Sequence, residues 1–359
     1  MVRPRTTAAV PARIGERSAV VMPDRRSIGR LTAWFAAALA PLVLAAVPAA
    51  AAPEPEPAAG RDVRGSYSSS QGTVDYQVHL PASWRPDRPM PVVMAVHGCG
   101  MTGYGLNSMK SLTRFDDLAD REGFVVVYPT QSLLRNLKLC WNSLSPEHQD
   151  RGRGEPELLA GTIRQVVDEF GADPARVHVA GASSGAGAAV ILGATYPDLV
   201  ATVTSVAGGE YGFHTAQDRL DTVSPADTAR LALAAMGPRA RQVPLLVVQG
   251  DQDEVVPPVM AQRLVQQWLV LGELITTGGT EVDPAADDVE RVEPAAGHPY
   301  TRSSFRRGAT AIDSYLIEGQ GHAWSGPEAG GLFADREGPD LSEIVWRFAS
   351  TRPLGAVGP

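Results

Sequence analysis

Ser183 stands in Gly181-Ala182-Ser183-Ser184-Gly185, between the run Arg176-Val177-His178-Val179-Ala180 and an Ala-rich stretch from Ala186 to Thr195. The first segment predicts a short buried strand and the second a helix. A serine on so sharp a strand-to-helix turn is presented as a nucleophile, and its flanking glycines let neighbouring backbone pass without a Cβ. A serine hydroxyl needs a base, usually a histidine oriented by a carboxylate. Of the seven histidines, His322 follows the last predicted strand in the glycine-rich loop Gly319-Gln320-Gly321-His322-Ala323-Trp324-Ser325-Gly326, where a base must protrude. The strand Val243 to Gln249 runs into Gly250-Asp251-Gln252-Asp253-Glu254, which offers three acids. Asp253 lies deepest in that loop and is the expected carboxylate. Asp251 is then a turn residue, and Glu254 faces solvent.

An oxyanion formed at Ser183 needs backbone donors. Ser184, at the start of the helix, offers an N–H that no helical carbonyl can accept. The second donor is expected from His97-Gly98-Cys99-Gly100, the loop after the apolar run Pro91 to Val96, and falls to Cys99. His97 could be a second base, but a ring hydrogen-bonded beneath the loop is the expected role. Trp141 and Trp324 offer flat apolar surface beside the site, or else are ordinary core aromatics. Acyl transfer by such a set requires no metal and no organic cofactor. Two cysteines and scattered histidines form no zinc-like cluster.

The elements that must hold these residues alternate. Thr73 to Leu80 reads as a half-buried antiparallel strand. Pro91 to Val96, Phe124 to Tyr128, Val177 to Ala180, Val200 to Val206 and Val243 to Gln249 read as buried parallel ones. Leu112, Phe115, Leu118 and Ala119 recur at helical spacing. Glu157 to Phe170, ended by Gly171, and Pro257 to Leu271 also predict helices. Ala311 to Ile317 is the last strand, and Asp340 caps a final helix through Phe348. This alternation predicts an α/β fold, a mostly parallel central sheet with helices on both faces. The polar, Gly/Pro-rich stretch from Gly272 to Arg307 is expected to be a surface insertion.

Residues 1–52 carry Arg25, Arg26 and Arg30 ahead of an apolar run that ends in small residues at Ala49 to Ala52. That is the pattern of a secretory signal, with Met22 a plausible true start; the Arg pair also fits a twin-arginine route. Pro41 and Pro48 interrupt the run and small residues dominate it, which argues against a membrane anchor. A Pro/Glu-rich linker (53–65), one catalytic domain (66–352) and a tail (353–359) follow, with no second binding module evident behind Thr351. The leader holds seven Arg and two acidic residues, so the exported chain keeps 25 basic and 38 acidic side chains, net −13. Such a surface repels nucleic acid and anionic membranes. The expected partner is a neutral ester, soluble or polymeric, met by a secreted monomer with no stable membrane insertion. Export and an even cysteine count invite a disulfide, two free buried thiols being the alternative.

Val96-His97-Gly98-Cys99-Gly100, Cys140-Trp141-Asn142, Arg153-Gly154-Glu155, the Ser183 pentapeptide and the His322 octapeptide together resemble the extracellular polyhydroxybutyrate depolymerase-like esterases. These are α/β-hydrolases that overlap the secreted feruloyl and acetylxylan esterases. The resemblance runs from about Tyr67 to Ser350. It implies Ser183, Asp253 and His322 as the triad, Cys99 at the oxyanion hole, and a Cys99–Cys140 bridge beside it. It further implies a secreted serine esterase acting on short-chain polyester, with a feruloyl or acetylxylan ester as the alternative and a secreted peptidase of the same fold as a remoter one. Two positions depart from the pattern: Ser143 stands where a second aromatic is common, and Ser184 where Ala is frequent. Without a separate binding module, crystalline polymer is expected to be attacked poorly, unless an apolar patch at the active-site mouth replaces one.

Overall fold

The computed structural model describes residues 60–308 and 310–355. The expected leader, residues 53–59 of the linker and residues 356–359 of the tail lie outside the described residues. Strands β1 (Arg61–Ser69), β2 (Gly72–Leu80), β3 (Val92–Val96), β4 (Val125–Thr130) and β5 (Val177–Ala182) precede Ser183. Strands β6 (Thr202–Val206), β7 (Leu245–Gly250), β8 (Asp288–Val292), β9 (Tyr300–Arg307) and β10 (Thr310–Ile317) follow it. All ten belong to one sheet, ordered β1-β2-β4-β3-β5-β6-β7-β10-β9-β8. The six strands from β4 to β10 in that order run parallel, with antiparallel pairs added at both ends. Helices lie on both faces, the α/β-hydrolase arrangement.

Alternation along the central strands divides the core into two layers. Val92, Met94 and Val96 of β3 point into one layer and Val93 and Ala95 into the other. Leu245 and Val247 of β7 likewise oppose Leu246 and Val248. Both faces are buried, so these strands read as unbroken apolar runs. The first layer packs under α3 (Gly154–Phe170), α4 (Ser184–Thr195), α5 (Pro225–Met236) and α6 (Val259–Thr276). The second packs under α1 (Met109–Thr113), α2 (Phe115–Glu122) and α7 (Leu341–Ser350). Among the described residues, no helix is long and apolar enough to cross a membrane.

Several elements differ from the sequence reading. The stretch expected as a surface insertion carries β8 and β9, which extend the sheet beyond β10. Every residue of β8 except Val292 is exposed, so no apolar run marks it. Strand β1 starts at Arg61, inside the segment read as linker; Val63, Gly65 and Tyr67 on its inner face are separated by charged and polar residues. The single helix expected around Leu112 to Ala119 is two, broken at Arg114, which adopts φ 51°. Gly171 does end α3, at φ 61°, with its N–H donating to the Val167 carbonyl. The Asp340 carboxylate caps α7 by accepting from the Glu343 N–H at 3.1 Å.

Candidate active site

Ser183 sits where β5 passes into α4, with φ 55° and ψ −121°. A non-glycine residue in that region is strained, and close backbone packing at the flanking glycines holds it there. A Cβ on Gly181 would lie 2.1 Å from the Gly185 carbonyl oxygen, and one on Gly185 would lie 2.3 Å from that of Val96. Glycine is therefore required at both positions, which lets the elbow press against the end of β3.

The acid and base loops are laced together. The Gln252 N–H donates to the Gln320 carbonyl at 3.0 Å, the Asp251 N–H to the Ile317 carbonyl at 3.0 Å, and the Gly319 N–H to Asp251 Oδ1 at 2.7 Å. Asp251 thus braces the Gly319 loop, while Asp253 reaches His322. Asp253 Oδ2 lies 2.8 Å from His322 Nδ1 and accepts from Gln249 Nε2 at 3.1 Å. Its Oδ1 accepts from the N–H groups of Val255 and Val256 at 2.9 and 2.8 Å. The Asp253 side chain is fully buried with donors on both oxygens, and its contact fixes the imidazole with its proton on Nδ1. The Nε2 lone pair is then free to take a proton. Ser183 and His322 line one recess of about 180 Å³, although no hydrogen bond joins them in this structure.

Among the described residues, the Cys99 and Ser184 backbone N–H groups have no acceptor. A network beneath them shapes the Cys99 loop. His97 is fully buried; its Nε2 accepts from the Gln131 N–H at 3.0 Å, so its Nδ1–H donates to the Gly98 carbonyl at 2.7 Å. Burial lowers its pKa to about 4, so the ring is neutral at ordinary pH. It is hydrogen-bonded beneath the loop, as expected of a structural histidine. Cys99 and Cys140 form a disulfide, and the Gly100 N–H donates to the Lys138 carbonyl at 2.8 Å.

Glu155 organises the other side of this network and was given no role by sequence reasoning. It accepts from the Asn142 N–H at 2.7 Å, from Asn142 Nδ2 at 2.6 Å and from Gln131 Nε2. The signal was there: Glu155 shares the buried stripe of α3 with Leu158, Leu159, Thr162 and Ile163, and a carboxylate on an apolar stripe requires partners. The departure at Ser184 also has a contact, since its Oγ accepts from the Trp141 N–H at 3.3 Å.

Ser183, Cys99, Ala207 and Val255 border both the recess and a cleft of about 930 Å³, so Ser183 stands at their junction. Trp141 borders the cleft and Trp324 the recess. Both are almost wholly buried, at 2% and 1% exposure, and form walls rather than open platforms. Trp324 also packs edge-on against Phe115 and donates to Ser342 Oγ at 3.2 Å. At the far wall Arg263 Nη2 donates to the buried Glu210 at 2.7 Å and to the Val223 carbonyl at 2.7 Å. This pair, also missed from sequence, ties α6 to the segment bearing Phe213 and Leu220. Burial raises the pKa of Glu210, and the Arg263 guanidinium opposes that rise. Among the described residues, no group of three or more His, Cys, Asp or Glu side chains could hold a metal ion.

The family model described as esterase PHB depolymerase matches residues 74–294. The chain is 28% identical over 272 residues to poly(3-hydroxyalkanoate) depolymerase C of Paucimonas lemoignei, covering 72% of this chain and 60% of the relative. It is 32% identical over 191 residues to acetylxylan esterase A of Aspergillus ficuum, covering 49% and 61%. It is 26% identical over 191 residues to feruloyl esterase B of Neurospora crassa, covering 49% and 63%. The chain thus spans 60–63% of the length of these curated relatives. The solved acetyl xylan esterase from Aspergillus awamori shares the fold, with a TM-score of 0.57 at 21% identity over 72% of this chain and 94% of that one. Since the family model spans more than half of the sequence, the chain belongs to the esterase PHB depolymerase family.

Proposed function

We propose that this protein is a secreted carboxylic ester hydrolase working through an acyl-enzyme on Ser183, with short-chain aliphatic polyesters or related short acyl esters as substrates. The observation that carries this reading is His322, held by the buried Asp253, lining the same recess as a strained serine. His322 Nε2 takes the Ser183 proton as Oγ bonds to the ester carbonyl carbon. The resulting oxyanion meets the N–H groups of Cys99 and Ser184, each such donor being worth about 3 kcal/mol in serine hydrolases. The C–O bond to the alcohol then breaks, and the imidazolium gives that alcohol its proton. Water, deprotonated by His322, clears the acyl group and restores the serine.

The cleft and the recess on either side of Ser183 suit the two halves of an ester. A feruloyl or acetylxylan ester is the second reading, supported by the fungal relatives of those names. A panel of p-nitrophenyl esters from acetate to octanoate, with amorphous poly(3-hydroxybutyrate), methyl ferulate and acetylated xylan, separates the two. Release of 3-hydroxybutyrate with short-chain preference is the expected result. Faster release of ferulate or acetate would favour the second reading, and failure on every ester would overturn both.

A further inference from the structure

The recess and the cleft share four bordering residues among those described: Ser183, Cys99, Ala207 and Val255. When Ser183 Oγ bonds to an ester carbonyl carbon, that carbon sits at this junction. The acyl carbon beside it and the carbinol carbon across the ester oxygen are each within two bonds of it. They therefore lie at the junction too, whichever cavity takes the acyl half and whichever the alcohol half. Any branch on those two carbons must pass the side chains that stand there.

Three of the four residues have little freedom to set that limit. Ser183 is the reacting group. The Cys99 sulfur is tied to Cys140. Ala207 offers one methyl on a backbone with φ 51°, a region that disfavours larger branched side chains, and its N–H is held by the Val248 carbonyl at 2.9 Å. Val255 is different: it is 69% exposed, so most of its side chain is packed against nothing. Its backbone is nevertheless fixed. The N–H groups of Val255 and Val256 donate to Asp253 Oδ1 at 2.9 and 2.8 Å, and the Val256 carbonyl accepts from Gln249 Nε2 at 2.9 Å. The carboxylate that holds His322 thus also holds Val255, whose β-branch restricts rotation at χ1. The isopropyl group is a stiff wall at a set place beside Ser183 and His322.

We propose that Val255 is a specificity-determining residue that limits the size of the branch a substrate carries on the carbons flanking its ester group. This rests on the ester-hydrolase reading of the site and selects within it, favouring esters whose adjacent carbons carry hydrogen or a small branch. The test uses the full-length protein with Val255→Ala and Val255→Phe, two changes at an exposed position that leave the fold intact. Val259→Ala serves for comparison, since Val259 is also exposed and borders the cleft but not the recess. The substrates are p-nitrophenyl butyrate and p-nitrophenyl 2-ethylbutyrate, which differ by a branch on the carbon beside the carbonyl. Branching slows any ester, so the quantity read is the ratio of kcat/KM on the branched ester to that on the linear one, relative to the parent.

A methylene more or less in an apolar contact shifts such discrimination by about tenfold or more. Val255→Ala should therefore raise the ratio about tenfold and Val255→Phe lower it about tenfold, while Val259→Ala leaves it within about twofold of the parent. A ratio unmoved by Val255→Ala would overturn the proposal, as would an equal rise with Val259→Ala. So would a fall with both Val255 changes, the mark of a disturbed acid loop rather than a changed wall. In each of those cases a parent that turns over the butyrate leaves the hydrolase reading standing. A parent that cleaves neither ester would overturn both.

Discussion

Acid should destabilise this protein through two histidines that the fold keeps neutral. His97 and His178 are buried, and burial lowers their pKa values to about 4 and about 3, the Arg176 charge adding to the fall at His178. In the unfolded chain each titrates near about 6.5, so below that value the unfolded state binds protons that the native state refuses. Their contribution is fully present above the unfolded pKa and is lost as pH falls towards the folded values. Between about pH 7.5 and about pH 5 the linkage removes about 2 kcal/mol for each ring, or about 4 kcal/mol for the pair. Carboxylates titrate over the same range, so the histidine share must be isolated. His178 Nδ1 meets only Thr202 Oγ1, at 2.9 Å, and its Nε2 is buried without a partner; a glutamine amide can reproduce the one contact made. Urea unfolding at both pH values should show His178→Gln losing about 2 kcal/mol less than wild type on acidification. Equal losses in the two proteins would refute the reasoning.

Asp253→Asn should lower kcat by about 10⁴-fold, since the amide favours the wrong imidazole tautomer, whereas Asp251→Asn, which only braces the Gly319 loop, should cost far less; steady-state kinetics on p-nitrophenyl butyrate ranks them. Cys140→Ala opens a bridge between residues 41 apart in sequence and should cost about 4 kcal/mol in urea unfolding, with reductant bringing wild type down to the variant. Glu155→Gln leaves Gln131 and Asn142 donating towards an amide and should cost about 2 kcal/mol or more. Because that network ends on the Gly98 carbonyl, its kcat should fall with KM little changed.

The central strands and the elbow were legible because their signals are local. Strands β3 and β7 are buried on both faces and carry unbroken apolar runs, and the Ser183 turn needs glycine on each side. The loops after β7 and β10 also put Asp253 and His322 forward as candidates, and the fold brings these two side chains within 2.8 Å of each other. What stayed hidden depends on partners distant in sequence. Strand β8 is exposed on both faces and exists through its pairing with β9, which no composition signal announces. The break at Arg114 rests on one backbone torsion. Glu155, Gln131 and the Glu210–Arg263 pair become intelligible only when the loops they join are in view. The tryptophans were read in two ways, and burial makes both of them walls.

The central claim is that Ser183 carries the acyl group. Brief reaction with p-nitrophenyl butyrate, quenching in acid and mass spectrometry of the digested protein tests it directly. One butyryl group should appear on the peptide containing Ser183, together with a burst of p-nitrophenolate. Ser183→Ala should give a folded protein with neither adduct nor burst and with turnover reduced by about 10⁴-fold or more. An adduct on another residue, or a Ser183→Ala protein that keeps even about a tenth of the activity, would contradict the account.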